Sequence, residues 1–158
     1  MATKEGMEVL DLTKLGIQQL TQIKQQLDQE LSVFNDSLTT LKMAQGKFRD
    51  SNDSLEKITP STEGKSIMVP LTGSMYIPGR IADGKTVIID IGTGYYIQKD
   101  VDGAKDYFKR KVTFVTEQME KISTMGLEKN KLREAVMDVM EMHAQAQLSA
   151  QKQQASKS

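Results

Sequence analysis

An apolar side chain returns every seven residues over the first third of the chain, at Leu20, Leu27, Phe34, Leu41, Phe48 and Leu55. Leu10, Ile17, Leu31 and Leu38 fill the complementary position of the same repeat, and Gln, Lys, Asp, Glu, Ser and Thr occupy most of the positions between. A helix patterned this way has one narrow stripe to bury, and the stripe needs a second helix lying almost parallel to it. Sustained over about five heptads, that spacing predicts a coiled coil.

A second periodic stretch supplies the partner. Phe108, Val112, Val115, Met119 and Ile122 follow 4-3-4-3 spacing. Past Gly126 the apolar row moves to Met125, Leu132, Val139 and Ala146, with Val136 alongside, which predicts a drift of the seam by one position and a looser coil there. The helices are expected over 13–58 and 100–148, each of about 46 residues and roughly 69 Å. Matched lengths predict an antiparallel hairpin in which Ile17 and Leu20 meet Val139 to Met142 at a shared tip. Gly16, Gly46, Gly103 and Gly126 should soften the helices, at about 1 kcal/mol each relative to Ala. Residues 149–158 are Gln, Ser, Lys and Ala and are expected to be disordered.

Between the helices, Thr59-Pro60-Ser61-Thr62-Glu63-Gly64 cannot continue a helix, and Asp100 is a plausible N-cap for the second helix. The segment 66–99 predicts four short strands in two β-hairpins, Ile67–Leu71, Met75–Ile81, Thr86–Ile91 and Tyr95–Lys99. Thr72-Gly73-Ser74, Asp83-Gly84 and Gly92-Thr93-Gly94 supply the turns. Val87-Ile88-Ile89-Asp90-Ile91 is apolar on alternate and adjacent positions alike, which predicts burial on both faces. Pro70 and Pro78 point to bulges or edges. Four strands do not close a barrel, so other subunits are expected to complete the open edges. The candidate assembly residues are Ile67, Val69, Leu71, Met75, Tyr76, Ile77, Val87, Ile88, Ile89, Ile91, Tyr95, Tyr96 and Ile97. The fold class is therefore α+β, a long antiparallel coiled-coil helical hairpin with two β-hairpins at its base, in one domain.

Composition narrows the function. Only 38% of the residues are hydrophobic and 5% aromatic, fewer large apolar side chains than a globule of 158 residues would carry. Basic and acidic residues number 21 each, so no cationic excess is present to bind a phosphate backbone directly. There is no cysteine, which removes disulfides and thiolate metal sites, and the single histidine, His143, builds no imidazole site alone. No apolar run approaches the length of a membrane span. The expected compartment is the cytosol, with the nucleus open.

One motif suggests chemistry and fails on context. Gly79-Arg80-Ile81-Ala82-Asp83-Gly84-Lys85-Thr86 satisfies G-x-x-x-x-G-K-T, but phosphate binding needs Lys and Thr to open a helix. Here the next residues are Val87-Ile88-Ile89-Asp90-Ile91, a strand pattern, so a hairpin turned at Asp83-Gly84 with Lys85 exposed is expected instead. Gly92-Thr93-Gly94 lacks the rest of a dinucleotide fingerprint. No catalytic residue, cofactor site or metal site is expected, and the chain is not expected to be an enzyme.

The ends of the helices carry more apolar residues than a seam requires. Leu10, Leu12, Leu15, Ile17 and Leu20 lie on one side, and Val136, Met137, Val139, Met140 and Met142 on the other. Methionine suits both a core filler and a surface that accepts many apolar shapes, and both uses stay open here. Surplus apolar surface at an arm's end is what a holdase for unfolded chains needs. A coiled-coil scaffold or tether without holdase activity would share the architecture but not the surplus.

Val69-Pro70-Leu71-Thr72, Ser74-Met75-Tyr76-Ile77-Pro78-Gly79, Ile88-Ile89-Asp90-Ile91-Gly92-Thr93-Gly94-Tyr95-Tyr96 and Ala104-Lys105-Asp106-Tyr107-Phe108-Lys109-Arg110-Lys111 closely resemble the linking segment of the alpha-class prefoldin subunits. The order helix, two hairpins, helix is also theirs, and the likeness covers nearly the whole chain. The resemblance implies a heterohexamer of two alpha-class and four beta-class subunits whose hairpins assemble a double β-barrel platform bearing six coiled-coil arms. It further implies that arm tips hold non-native polypeptides, notably actin and tubulin, and deliver them to the cytosolic group II chaperonin without ATP. Some members are linked to nuclear transcription regulation. The family has no fixed client-binding motif, so the ten tip residues are expected as a region.

Overall fold

The computed structural model describes residues 12–155. A short 3-10 turn at Leu12–Lys14 precedes helix α1, Ile17–Glu56. Strands β1 (Ser66–Pro70), β2 (Tyr76–Arg80), β3 (Thr86–Gly92) and β4 (Tyr95–Asp100) come next, and helix α2 runs over Val101–Ala155. The expected order is present, with strand limits shifted by a residue. Leu10 lies outside the described residues. The helix α2 passes Leu148 and continues to Ala155, through part of the stretch for which disorder is expected, because Gln, Ala and Lys are good helix formers. Two compact units are distinguished, residues 12–39 with 120–155, and 40–119.

In the first unit the start of α1 and the end of α2 run antiparallel. Leu20 and Val136 are fully enclosed and Leu27 nearly so, with Leu12, Leu15, Ile23, Val139 and Met140 packed around them. The meeting of the Leu20 region with the Val139 region is as the heptads require. The drift of the seam is not found. Met125 and Leu132 stay 45% and 41% exposed, while Gly126, Lys129 and Arg133 are half-buried. The row Ile122, Gly126, Lys129, Arg133, Val136, Met140 keeps 4-3 spacing throughout. Polar side chains hold seam positions because α1 presents partners: Lys129 Nζ lies 2.8 Å from Glu30 Oε2, and Arg133 Nη1 lies 3.2 Å from Asp28 Oδ1. Long side chains bury their stems and keep their charged ends at such partners.

In the second unit the remaining helical segments pack with the β3–β4 hairpin. Leu55, Ile89 and Ala104 form the buried centre, joined by Ile58, Val87, Ile97, Tyr107 and Phe108. Phe108 meets Phe48 with ring centroids 6.3 Å apart and Tyr107 edge-on at 5.3 Å. Gln45 Nε2 donates to Thr116 Oγ1 at 2.6 Å across the seam, and Lys105 Nζ pairs with Glu56 Oε2 at 3.2 Å. Asp100 caps α2 as expected, its carboxylate accepting from the Gly103 amide.

The sheets are two separate antiparallel pairs, β1 with β2 and β3 with β4. In the second pair Ile89 faces Ile97 and Ile88 faces Gln98, with a bulge between Asp90 and Gly92. Gly92, Thr93 and Gly94 all take positive φ, which accounts for two glycines in that turn. Asp83-Gly84, by contrast, is no hairpin turn: it joins β2 to β3, which do not pair. Gly84 does not need positive φ there. It is required because a Cβ would stand 2.6 Å from the Thr59 carbonyl oxygen.

Candidate functional site

The hairpins present an unsatisfied surface. Alternation along β3 turns Val87 and Ile89 toward α1 and α2, and leaves Ile88, 72% exposed, on the opposite face. Burial of β3 on both faces, expected from its composition, is therefore not achieved within one chain. Tyr95, Tyr96 and Ile91 are also exposed, as are Ile67, Met68, Leu71, Met75, Tyr76 and Ile77 in the first hairpin. Of the residues expected in assembly, Ile89 is buried and Val69, Val87 and Ile97 are half-buried, so these four support the hairpins from within. The rest are accessible. Each two-strand sheet also has unpaired edges, and exposed apolar strands with open edges are templates for pairing with other chains.

The P-loop pattern is dismantled by the same strands. Gly79 lies inside β2 and Thr86 opens β3, so no helix N-terminus comes after the lysine. Asp83 accepts from the amides of Lys85 and Thr86 and from the Thr86 hydroxyl. Those bonds hold its carboxyl below the usual carboxylate range, the Thr86 hydroxyl first. Lys85 is exposed. Among the described residues no group of His, Asp and Glu is arranged to hold a metal ion, and no helix is long and apolar enough to cross a membrane.

At the other candidate region, Leu20 and Val136 have no accessible surface. They are facing seam residues and hold the helices together. Leu12, Leu15, Val139 and Met140 cover them and are partly accessible. Ile17, Met137 and Met142 are exposed, at 38%, 44% and 62%. The apolar surface here thus alternates between knobs that close the pair and side chains left outside it. Beside it, Asp28 is held below the usual carboxylate range by the hydrogen bond from Lys24 and by Arg133, partly opposed by desolvation. Glu30 is lowered likewise, by Lys129 first and then Gln26. Heptad reading treats these charges as solvated flank and misses them. The signal was the opposite charge at matching depth on the antiparallel partner.

Comparison with known proteins gives the family. The model for prefoldin subunits matches residues 17–151. The chain belongs to the prefoldin subunit family. It is 50% identical over 149 residues to the probable prefoldin subunit 5 of Drosophila melanogaster, covering 94% of this chain and 89% of that one. To human prefoldin subunit 5 it is 45% identical over 141 residues, covering 89% and 91%. To the probable prefoldin subunit 5 of Schizosaccharomyces pombe it is 35% identical over 150 residues, covering 94% and 97%. A chain in the cryo-EM structure of filamentous PFD from Methanocaldococcus jannaschii has the same fold, with a TM-score of 0.65 at 13% identity over 75% of this chain and 98% of that one. Membership in the prefoldin family makes the chain a co-chaperone component.

Proposed function

We propose that the chain is one of two alpha-class subunits of a heterohexamer with four beta-class prefoldin subunits. The complex holds unfolded or nascent polypeptides such as actin and tubulin and passes them to the cytosolic group II chaperonin, without catalysis or cofactor. Its proposed compartment is the cytoplasm. The observation that carries this reading is the exposed apolar face of the hairpins. Ile88, Tyr95 and Tyr96 on one hairpin and Met68, Met75 and Tyr76 on the other are each more than half exposed in a single chain, beside strand edges with no partner. Strands from neighbouring subunits would cover the faces and pair the edges together. Clients meet the region of Leu10, Leu12, Leu15, Ile17, Met137, Val139, Met140 and Met142, which Leu20 and Val136 support from the closed seam, and Ile17, Met137 and Met142 supply the first contacts because they are already exposed.

Native mass spectrometry of the chain, alone and mixed with beta-class subunits, tests the assembly. A mixed hexamer with two copies of this chain, or with one copy beside a different alpha-class subunit, supports the reading. A monomer or homodimer indifferent to those subunits overturns it. Aggregation suppression by the hexamer then tests the holding role, and a hexamer that suppresses nothing leaves a scaffold or tether.

A further inference from the structure

The two hairpins differ in what their own chain does for them. No residue of β1 or β2 joins either buried cluster, whose strand members, Val87, Ile89 and Ile97, all belong to β3 and β4. The first hairpin also holds two methionines, Met68 and Met75, 63% and 55% exposed, whereas the second contains none. Met68 sits in the middle of β1 opposite Pro78. Ile67 and Val69 crowd Gly79 on one face of the hairpin, so alternation puts Met68 on the other. Met75 closes the turn: its carbonyl accepts from the Leu71 and Thr72 amides at 2.8 and 3.3 Å, and its amide donates to Thr72 Oγ1 at 3.1 Å. Both thioethers thus stand at defined places on a surface that only another chain can cover.

A thioether in that position meets dissolved oxidants. When a sulfur lone pair attacks a peroxide oxygen, an S–O bond forms as the O–O bond breaks, and the hydroxide that leaves takes up the proton to become water. The sulfur is oxidised by two electrons and the peroxide reduced. The product, a sulfoxide, is a polar acceptor that disrupts apolar interfaces, and its burial without a donor is costly. Ile67, Leu71 and Ile77 around it undergo no such change.

We infer that Met68 and Met75 are an oxidation site that gates assembly: a peroxide converts them to sulfoxides in the free chain and bars that chain from the hexamer, while the assembled chain is protected. The inference rests on the reading that the hairpin faces are covered by other subunits. Because neither methionine contributes to a core cluster, the oxidised chain keeps its fold, and reduction of the sulfoxides restores it to use.

The test treats the isolated chain with hydrogen peroxide, removes the peroxide with catalase, adds beta-class subunits and counts mixed hexamers by native mass spectrometry. Incorporation should fall by about tenfold or more, the effect of burying an unpaired polar group, with helical circular dichroism unchanged. Stereospecific methionine sulfoxide reductases with a dithiol should restore it. Met68→Leu with Met75→Leu conserves volume and should assemble equally well before and after peroxide, although exposed Met43, Met125, Met137 and Met142 still oxidise. In the preformed wild-type hexamer, peptide mass spectrometry should find Met142 oxidised and Met68 and Met75 spared. Full incorporation of a chain oxidised at both residues, an equal loss in the double leucine variant, or equally fast oxidation of Met68 and Met75 inside the hexamer overturns the inference while the assembly reading stands. An untreated wild-type chain that forms no mixed hexamer overturns that reading and the gate with it.

Discussion

Arg133 Nη1 sits 3.2 Å from Asp28 Oδ1, from a position of α2 that the heptad assigns to an apolar knob. Asp28 also accepts from Lys24 at 2.8 Å, and one turn earlier on α2 Lys129 pairs with Glu30. The helices of the first unit are thus joined by charge where the apolar seam is interrupted, directly beside the enclosed Leu20, Leu27 and Val136.

Acid should loosen this pairing. The folded-state pKa values of Asp28 and Glu30 lie below their unfolded values. The stability they contribute is therefore complete above the unfolded carboxylate pKa, about 4, and is lost as pH falls through the lower folded values. Thermal melts monitored by circular dichroism from pH 7 to pH 3 should show a smaller acid-induced fall for Asp28→Asn with Glu30→Gln than for the wild type. Parallel curves would rule out the effect.

Asn52 occupies a seam position of α1 with its Oδ1 buried and unpaired. Replacing it with leucine removes an unsatisfied polar group and adds apolar contact, so Asn52→Leu should stabilise by about 1–2 kcal/mol. Chemical denaturation of the wild type and the variant measures this, and a lower midpoint for the variant would contradict it.

Gly84 touches the backbone of Thr59 more closely than any Cβ permits. Gly84→Ala must push the segment at Thr59 and Pro60 away and should destabilise by about 1–3 kcal/mol, the usual cost of overpacking. Gly73, with nothing within 4 Å of its would-be Cβ, is the control: Gly73→Ala should lower the melting temperature far less.

The two classes of apolar residue in the first unit should behave differently. Leu20→Ala opens a cavity at a fully enclosed site and should cost about 2–5 kcal/mol. Met142→Ala removes an exposed side chain and should change stability by less than about 0.5 kcal/mol while weakening retention of an unfolded client by the hexamer. Equal destabilisation by both would mean that Met142 is core.

Ile88 separates folding from assembly. It is exposed in the single chain, so Ile88→Glu should leave the helical circular dichroism of the isolated chain unchanged and abolish its incorporation into a mixed hexamer, read by native mass spectrometry. Ile89→Glu, at a buried site, should impair both.

The heptad from Leu20 to Leu55 and its continuation from Phe108 to Ile122 determined two paired helices. The period of 3.5 residues allows a single buried stripe, and that stripe has only one kind of partner. Proline, glycine and β-branched residues likewise determined two hairpins, and Asp100 marked the start of α2, because these preferences are local to the backbone. The seam past Gly126 was not legible. Apolar residues alone point to Met125 and Leu132, yet Gly126, Lys129 and Arg133 face α1, since unbroken helical geometry and the opposing carboxylates of Asp28 and Glu30 outweigh hydropathy at single positions. Nor could spacing tell that Gly84 answers to Thr59, distant in sequence, rather than to a turn. The sequence alone determined which elements form, because periodicity and turn chemistry act over neighbouring residues. Only the tertiary structure decided which side of each element is satisfied by its own chain and which, as at Ile88, is left for another, because burial depends on what the folded chain brings against each face.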